Sequence, residues 1–143
     1  MIAVDTNILV YAHREDSGFH AKASSCIQQL AEGTAPWALP WPCLHEFFSV
    51  VTHPRIYLPP TPSKLALSQL DAWLESPSLV LLAEATEHWP VLRGLLDGGK
   101  IVGPQVHDAR IAALCVQHGV KELWTVDRDF GRFPKPKVKN PLI

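Results

Sequence analysis

The chain has 143 residues and a mass of 15.9 kDa, a size at which one domain buries its own core without disulfide or metal staples. Apolar residues make up 47% and charged residues 19%. Disorder is therefore not the default reading, and no apolar stretch approaches the ~20 residues that span a bilayer. The net charge is −1, so charge as a whole does not mark a nucleic-acid binder.

In chain order, Ile2-Ala3-Val4 reads as a short strand stopped by Asp5-Thr6-Asn7, and residues 8–12 continue as a helix capped by that polar cluster. The opening carries Asp5 and Asn7 inside its apolar stretch and no basic leader, so it does not read as a signal peptide. Phe19, Ala23, Cys26, Ile27 and Leu30 form the stripe of an amphipathic helix ended by Gly33. Trp37-Ala38-Leu39 is a strand stub, and a helix follows over about 42–53 with Leu44, Phe47, Phe48 and Val51 as its stripe. Residues 55–62 form an apolar, proline-rich loop. Thr61-Pro62 then reads as N-cap and first residue of a helix whose Leu67, Leu70 and Leu74 face inward. Leu79–Leu82 is a strand. Val91, Leu92, Leu95 and Leu96 mark a helix closed by Asp97-Gly98-Gly99, and another helix covers about 105–118. Leu123–Val126 is a buried strand cut at Asp127, and a last strand falls near 137–139.

Short apolar strands alternating with helices predict an α/β fold with a parallel sheet covered by helices on both faces. No repeat or linker interrupts residues 1–143, so one domain is expected. Cys26, Cys43 and Cys115 form no C-x-x-C pair and no even framework, which points to a reducing cytoplasm. The charge is uneven: residues 128–143 hold five basic side chains against Asp129 alone. The first 127 hold 8 basic and 13 acidic residues, a net of −5. A basic tail on an acidic body could lie along a phosphate backbone; on charge alone it reads as solvated chain. The loop around Ile56, Tyr57 and Leu58, with Trp41, is apolar enough to line a partner or dimer face, or equally to fold over the core.

Four places carry carboxylates that chemistry could use. Asp5 and Asp127 end strands, and the carboxyl ends of parallel strands open into the ligand crevice of such sheets. Both positions also suit plain capping and turn chemistry, and Asp129 competes with Asp127 in the same turn. Thr125 points to the face of Asp127, where it could orient a water. Asp108 shares a helix face with Ile111, Ala112 and Cys115, where a carboxylate is costly unless paired or bound to a cation, although a first-turn acid also gains from the helix dipole. Glu46 borders the stripe of its helix. Converging carboxylates favour hard divalent cations, Mg²⁺ or Mn²⁺, which keep several waters and meet phosphates; one ion, or two ~3.5–4 Å apart, would serve phosphodiester hydrolysis.

VDTNILVY (4–11), Glu46 in LHEFF, HDARIAALC (107–115) and TVDRDF (125–130) resemble the four acidic motifs of PIN-domain nucleases over nearly the whole chain. At this size the chain most resembles the VapC toxins of VapBC toxin–antitoxin systems. The resemblance implies a PIN-like three-layer α/β fold and an Mg²⁺- or Mn²⁺-dependent endoribonuclease whose product carries a 5′-phosphate. It also implies a homodimer and a VapB-type antitoxin. Carried over residue by residue, Asp5, Glu46, Asp108 and Asp127 take the catalytic, metal-holding positions, with Asn7 and Thr125 supporting; Asp129 stays an alternative to Asp127. Arg14, Arg110, Arg128 and Arg132 are candidates for contact with the RNA backbone. His45 and His107 carry over to no role.

Three rivals are weaker. An aspartyl-phosphate phosphatase needs Asp-x-Asp where this chain has Asp5-Thr6-Asn7. A zinc helix needs a histidine that does not follow His45-Glu46. A catalytically silent PIN-like binding module would be favoured by a missing acid, but every acidic position is filled.

Overall fold

The computed structural model describes all 143 residues. β1 (Ile2–Val4) is followed by α1 (Thr6–His13) and α2 (His20–Glu32), and β2 (Trp37–Pro40) by α3 (Trp41–Val51) and α4 (Ser63–Leu74). β3 (Leu79–Leu82) is followed by α5 (His88–Gly98) and α6 (Val106–Gln117). β4 (Glu122–Trp124), a 3-10 turn (Arg128–Arg132) and β5 (Lys137–Lys139) complete the chain.

All strand pairs are parallel, in the order β3-β2-β1-β4-β5, with Ile2 beside both Trp37 and Glu122. The central strands are short because both their faces must be apolar. Ala3, Val4, Ala38, Leu39 and Leu123 are fully buried, as expected of a sheet covered on both sides. The edge strand β5 instead alternates Lys137 and Lys139 around half-buried Val138, and lysines on an edge discourage pairing with another chain.

Steps from β1 to β3 run one way along the sheet and steps from β3 to β5 the other. With right-handed crossovers this places α1 to α4 over one face and α5 and α6 over the other, giving three layers. The direction reverses between β1 and β4, and a crevice opens beyond the carboxyl ends of those strands. Asp5 and Thr125 are the residues that follow the two strands there.

The expected elements are present, with three local corrections. Thr61 does not cap α4: the helix starts at Ser63 with Pro62 in the cap position and no side-chain cap bond, because the Thr61 hydroxyl accepts from the Arg14 guanidinium at 3.2 Å. β4 ends at Trp124 rather than Val126, and Thr125 turns into the crevice while its N–H donates to the Lys139 carbonyl.

The leucine stripe of α4 faces the core only at Leu70, which packs against it half-buried. Ala66 and Trp73, seven residues apart, are the buried positions, and Leu67 and Leu74 are 53% and 38% exposed. The Trp73 ring meets Phe47 of α3 edge-on at 4.8 Å, and a fully buried aromatic pair outweighs three leucines as an anchor. The displaced stripe, with Trp41, Leu44 and Phe48, lines an open apolar groove between α3 and α4. Trp73→Ala is therefore expected to cost about 3–5 kcal/mol in urea unfolding, and Leu67→Ala less than about 1 kcal/mol; the sequence stripe taken alone would order them the other way.

Candidate active site

Asp5 is the one ionisable side chain among the chain's buried polar residues. Its N–H donates to the Trp124 carbonyl at 2.9 Å, which sets it on the seam between β1 and β4. One carboxylate oxygen, Oδ1, accepts from the Thr6 N–H at 2.8 Å and so caps α1, and it receives the buried Cys43 thiol at 3.6 Å. The other, Oδ2, accepts from the Thr125 hydroxyl at 2.7 Å, with the Asn7 amide at 3.4 Å. Thr125 in turn accepts from Asn7 Nδ2 at 3.1 Å and from the Asp127 N–H at 3.0 Å. Asn7 Oδ1 accepts from the Val126 N–H at 3.3 Å.

This network gives Thr125 a different role from the one expected of it. Its single hydrogen and both lone pairs are in use, so it holds Asp5 and orients no water. Cys43 is a contributor that sequence reasoning missed; its place one helical turn before Glu46 in α3 was the available signal, since that spacing puts it on nearly the same helix face.

Asp5, Glu46, Asp108 and Asp127 line one cavity of about 230 Å³, together with Thr6, Asn7 and an apolar wall that includes Tyr11, Val50 and Tyr57. α3 brings Glu46, which is exposed, and the first turn of α6 brings Asp108, which is half-buried. Asp127 also does turn work, accepting from the Asp129 N–H at 2.8 Å. Asp129 does not line this cavity; it lies 3.8 Å from Arg132 and is well exposed. Of the two candidates for the fourth position, Asp127 is the one on the cavity wall.

Burial raises the Asp5 carboxyl to about 6, against the lowering pull of its hydrogen bonds to Thr125 and Thr6, and Glu46 adds repulsion. Asp108 is shifted upward as well, first by desolvation and then by the charges of Asp127, Asp129 and Glu46. Carboxylates that repel one another in a partly dry cavity are stabilised by a bound cation. The Thr6 hydroxyl on the cavity wall is buried and has no partner within the chain, so a polar donor or acceptor of the wall is left for a ligand. No three His, Cys, Asp or Glu side chains form a close ready-made ligand set. The residues therefore suit a cation that takes one or two direct carboxylates and keeps its waters, the habit of Mg²⁺.

The arginines sort differently from expectation. Arg14 is not available to a substrate: its side chain is 11% exposed, bonded to Asp16 at 2.6 Å, to the Pro59 carbonyl at 3.0 Å and to Thr61, and it lies 4.2 Å from the Tyr57 ring centroid. It clamps the proline-rich loop and so sets Tyr57 on the cavity wall. Arg132 reaches the Asp129 carbonyl and carboxylate. Arg110 pairs with exposed Glu84, and Arg128 is exposed. His45 and His107 lie outside the acidic cavity, in an adjoining cleft.

A parallel sheet in the order 3-2-1-4-5 with a carboxylate-lined cavity at its reversal point defines an open α/β domain whose site lies in the crevice beyond the strand ends. The chain belongs to the PIN domain family, whose description matches residues 2–136. It is 34% identical over 142 residues to Ribonuclease VapC43 of Mycobacterium tuberculosis, covering 99% of this chain and 96% of that one. It is 32% identical over 138 residues to Ribonuclease VapC48 of the same organism, covering 96% and 95%. Among solved structures, VapBC2 from Rickettsia felis bound to a promoter DNA fragment superposes with a TM-score of 0.69 at 22% identity, covering 97% of this chain and 98% of that one. The toxin VapC20 of Mycobacterium tuberculosis superposes with a TM-score of 0.66 at 16% identity, covering 92% and 93%. These likenesses bear out the three-layer α/β fold.

A carboxyl raised to about 6 in the fold, from an ordinary value near 4, binds more protons folded than unfolded. It lends stability that is complete below pH ~4 and lost as pH rises through ~6. In EDTA, wild type is expected to lose about 3 kcal/mol between pH 4 and pH 7 that Asp5→Asn does not lose, with Asp108 adding a smaller loss in both proteins. Urea unfolding at the two pH values measures the difference, and equal slopes would refute the burial account.

Proposed function

We propose that this chain is a metal-dependent endoribonuclease and the toxin of a type II toxin–antitoxin pair. The observation that carries the reading is the buried Asp5 carboxylate, fixed by Thr6 and Thr125 and facing one cavity shared with Glu46, Asp108 and Asp127. Relatives that match nearly the full chain are named VapC ribonucleases, and one structural neighbour is described as a sarcin–ricin loop cleaving toxin.

Asp5 and Asp108 would hold Mg²⁺ or Mn²⁺, with Glu46 and Asp127 acting partly through water. When bound, such an ion neutralises phosphate charge and acidifies water. The chain's own part is positional. The network around Asp5 keeps that carboxylate fixed, which avoids reorganisation during reaction. Tyr11, Val50 and Tyr57 exclude water from one side of the cavity. Glu46, the exposed acid of the ring, offers a carboxylate oxygen that takes the proton of the attacking water. Attack in line breaks the P–O3′ bond and leaves a 5′-phosphate and a 3′-hydroxyl.

An RNA substrate, a VapB-type antitoxin and a homodimer complete the reading. Structural neighbours include the VapBC2 assembly and FitAB bound to a DNA fragment, and the exposed leucines of α4 supply the kind of apolar surface that assembly needs. No helix is long and apolar enough to cross a membrane. Three free cysteines suit a cytoplasmic protein.

The test is cleavage of total RNA, tRNA and rRNA by antitoxin-free protein in Mg²⁺, Mn²⁺ or EDTA. Wild type should cleave only with a cation, and Asp5→Ala and Asp108→Ala should each lose about 100-fold or more. Folded, cation-loaded wild type that leaves all three RNA classes intact would overturn the proposal. Within the turn, Asp127→Asn should impair cleavage strongly, whereas Asp129→Asn should change the rate by no more than about threefold, as expected of an exposed charge; initial rates on one cleaved RNA compare them.

A further inference from the structure

Beside the acidic cavity lies a second cleft of about 300 Å³ that shares Glu46 and Ile111 with it as a common wall. Its other polar side chains are His45, Ser49, His107 and Arg110. The pairing is built into two helices. His45 precedes Glu46 in α3 and His107 precedes Asp108 in α6, and consecutive residues of a helix point about 100° apart. The turn that aims each acid into the cavity therefore aims its neighbour round the rim into the cleft. His45 is braced by the Trp41 ring at 6.2 Å, while both imidazoles are exposed. Arg110 is held only by Glu84, an ion pair about a third open to solvent on both sides. Surface pairs of that kind contribute little, so the guanidinium can exchange Glu84 for a stronger phosphate partner.

A polyanion that enters a ring of four carboxylates needs donors next to the ring to hold it. Arg14 is engaged with Asp16 and the proline-rich loop, and Arg132 with Asp129. The cleft is the place adjoining the cavity where imidazole, hydroxyl and guanidinium donors converge with one carboxylate, Glu46, on the shared wall. Resting on the nuclease reading above, we propose that His45, Ser49, His107 and Arg110 form a subsite for the phosphodiester backbone of the RNA strand next to the scissile phosphate. Its occupant is the substrate strand itself, and affinity should grow once the strand is long enough to reach from cavity to cleft.

The test is fluorescence anisotropy of labelled single-stranded RNA, two to ten nucleotides long, in EDTA so that nothing is cleaved. It is read against salt for wild type, Arg110→Ala and the triple variant His45→Ala/His107→Ala/Arg110→Ala. Wild type should bind longer RNA more tightly. Arg110→Ala should lower the slope of log affinity against log salt by about 0.7, and the triple variant should bind the ten-nucleotide strand about tenfold more weakly and lose the gain with length. With cation present, the triple variant should raise KM more than it lowers kcat. His45→Gln/His107→Gln, which keeps side-chain donors, should recover most of what His45→Ala/His107→Ala loses, and this separates contact from misfolding. A triple variant that matches wild type in affinity, length gain and salt slope overturns the subsite even if wild type cleaves RNA. Wild type that neither binds nor cleaves RNA overturns the nuclease reading on which it rests.

Discussion

One buried carboxylate organises this molecule. Asp5 sits where β1 ends, α1 begins and β4 turns away, and its two oxygens are tied to the first N–H of the helix and to the Thr125 hydroxyl beyond the neighbouring strand. Burying an anion is unfavourable unless hydrogen bonds or positive charge compensate it. Here the hydrogen bonds compensate only in part, and burial still raises the carboxyl to about 6. The same contacts that close the seam between β1 and β4 therefore leave the cavity short of positive charge. Fold and site share one set of bonds, so the site is rigid for the reason that the sheet is.

The surrounding charges follow from that arrangement. Asp127, Asp129 and Glu46 reinforce the negative potential felt by Asp108. Arginine side chains stay out of the cavity. Arg14 is used as a strut that fastens the proline-rich loop and sets Tyr57 on the cavity wall. An arginine placed among the acids would neutralise them, and none lines the cavity.

Apolar packing shows a comparable separation. α4 is held to the body by Ala66 and Trp73, and the Trp73 ring packs on Phe47. Its leucines remain on an open groove with Trp41, Leu44 and Phe48. A monomer that needed those leucines for its own stability would bury them. Left out of the core, they form an apolar surface that the chain itself does not cover.

Residues 2–4, 37–39 and 79–82 read as strands, and the main helices as helices, because apolar periodicity and capping chemistry are local signals. The acids Asp5, Glu46, Asp108 and Asp127 were legible as a set because each sits at a strand end or along a helix edge that local patterning locates. What local patterning does not carry is which partner a side chain meets. Thr125 and Asn7 reach residues 120 and 118 positions away, and this contact turned an expected water-orienting hydroxyl into the clamp on Asp5. Arg14 reaches across 45 positions to Pro59, so an arginine that read as free for RNA became a strut. That Asp127 lines the cavity and Asp129 does not was likewise set by the direction of the turn after β4, since two acids two residues apart look alike until the chain bends. In α4, Leu67, Leu70 and Leu74 and the Ala66–Trp73 pair are both valid helical stripes; in the fold the Trp73 ring packs on Phe47 of the neighbouring helix, and of the three leucines Leu70 alone reaches the core. The sequence by itself determined the elements, their order and the residue types of the site; the tertiary structure decided partners and faces, because those depend on contacts between segments far apart in the chain.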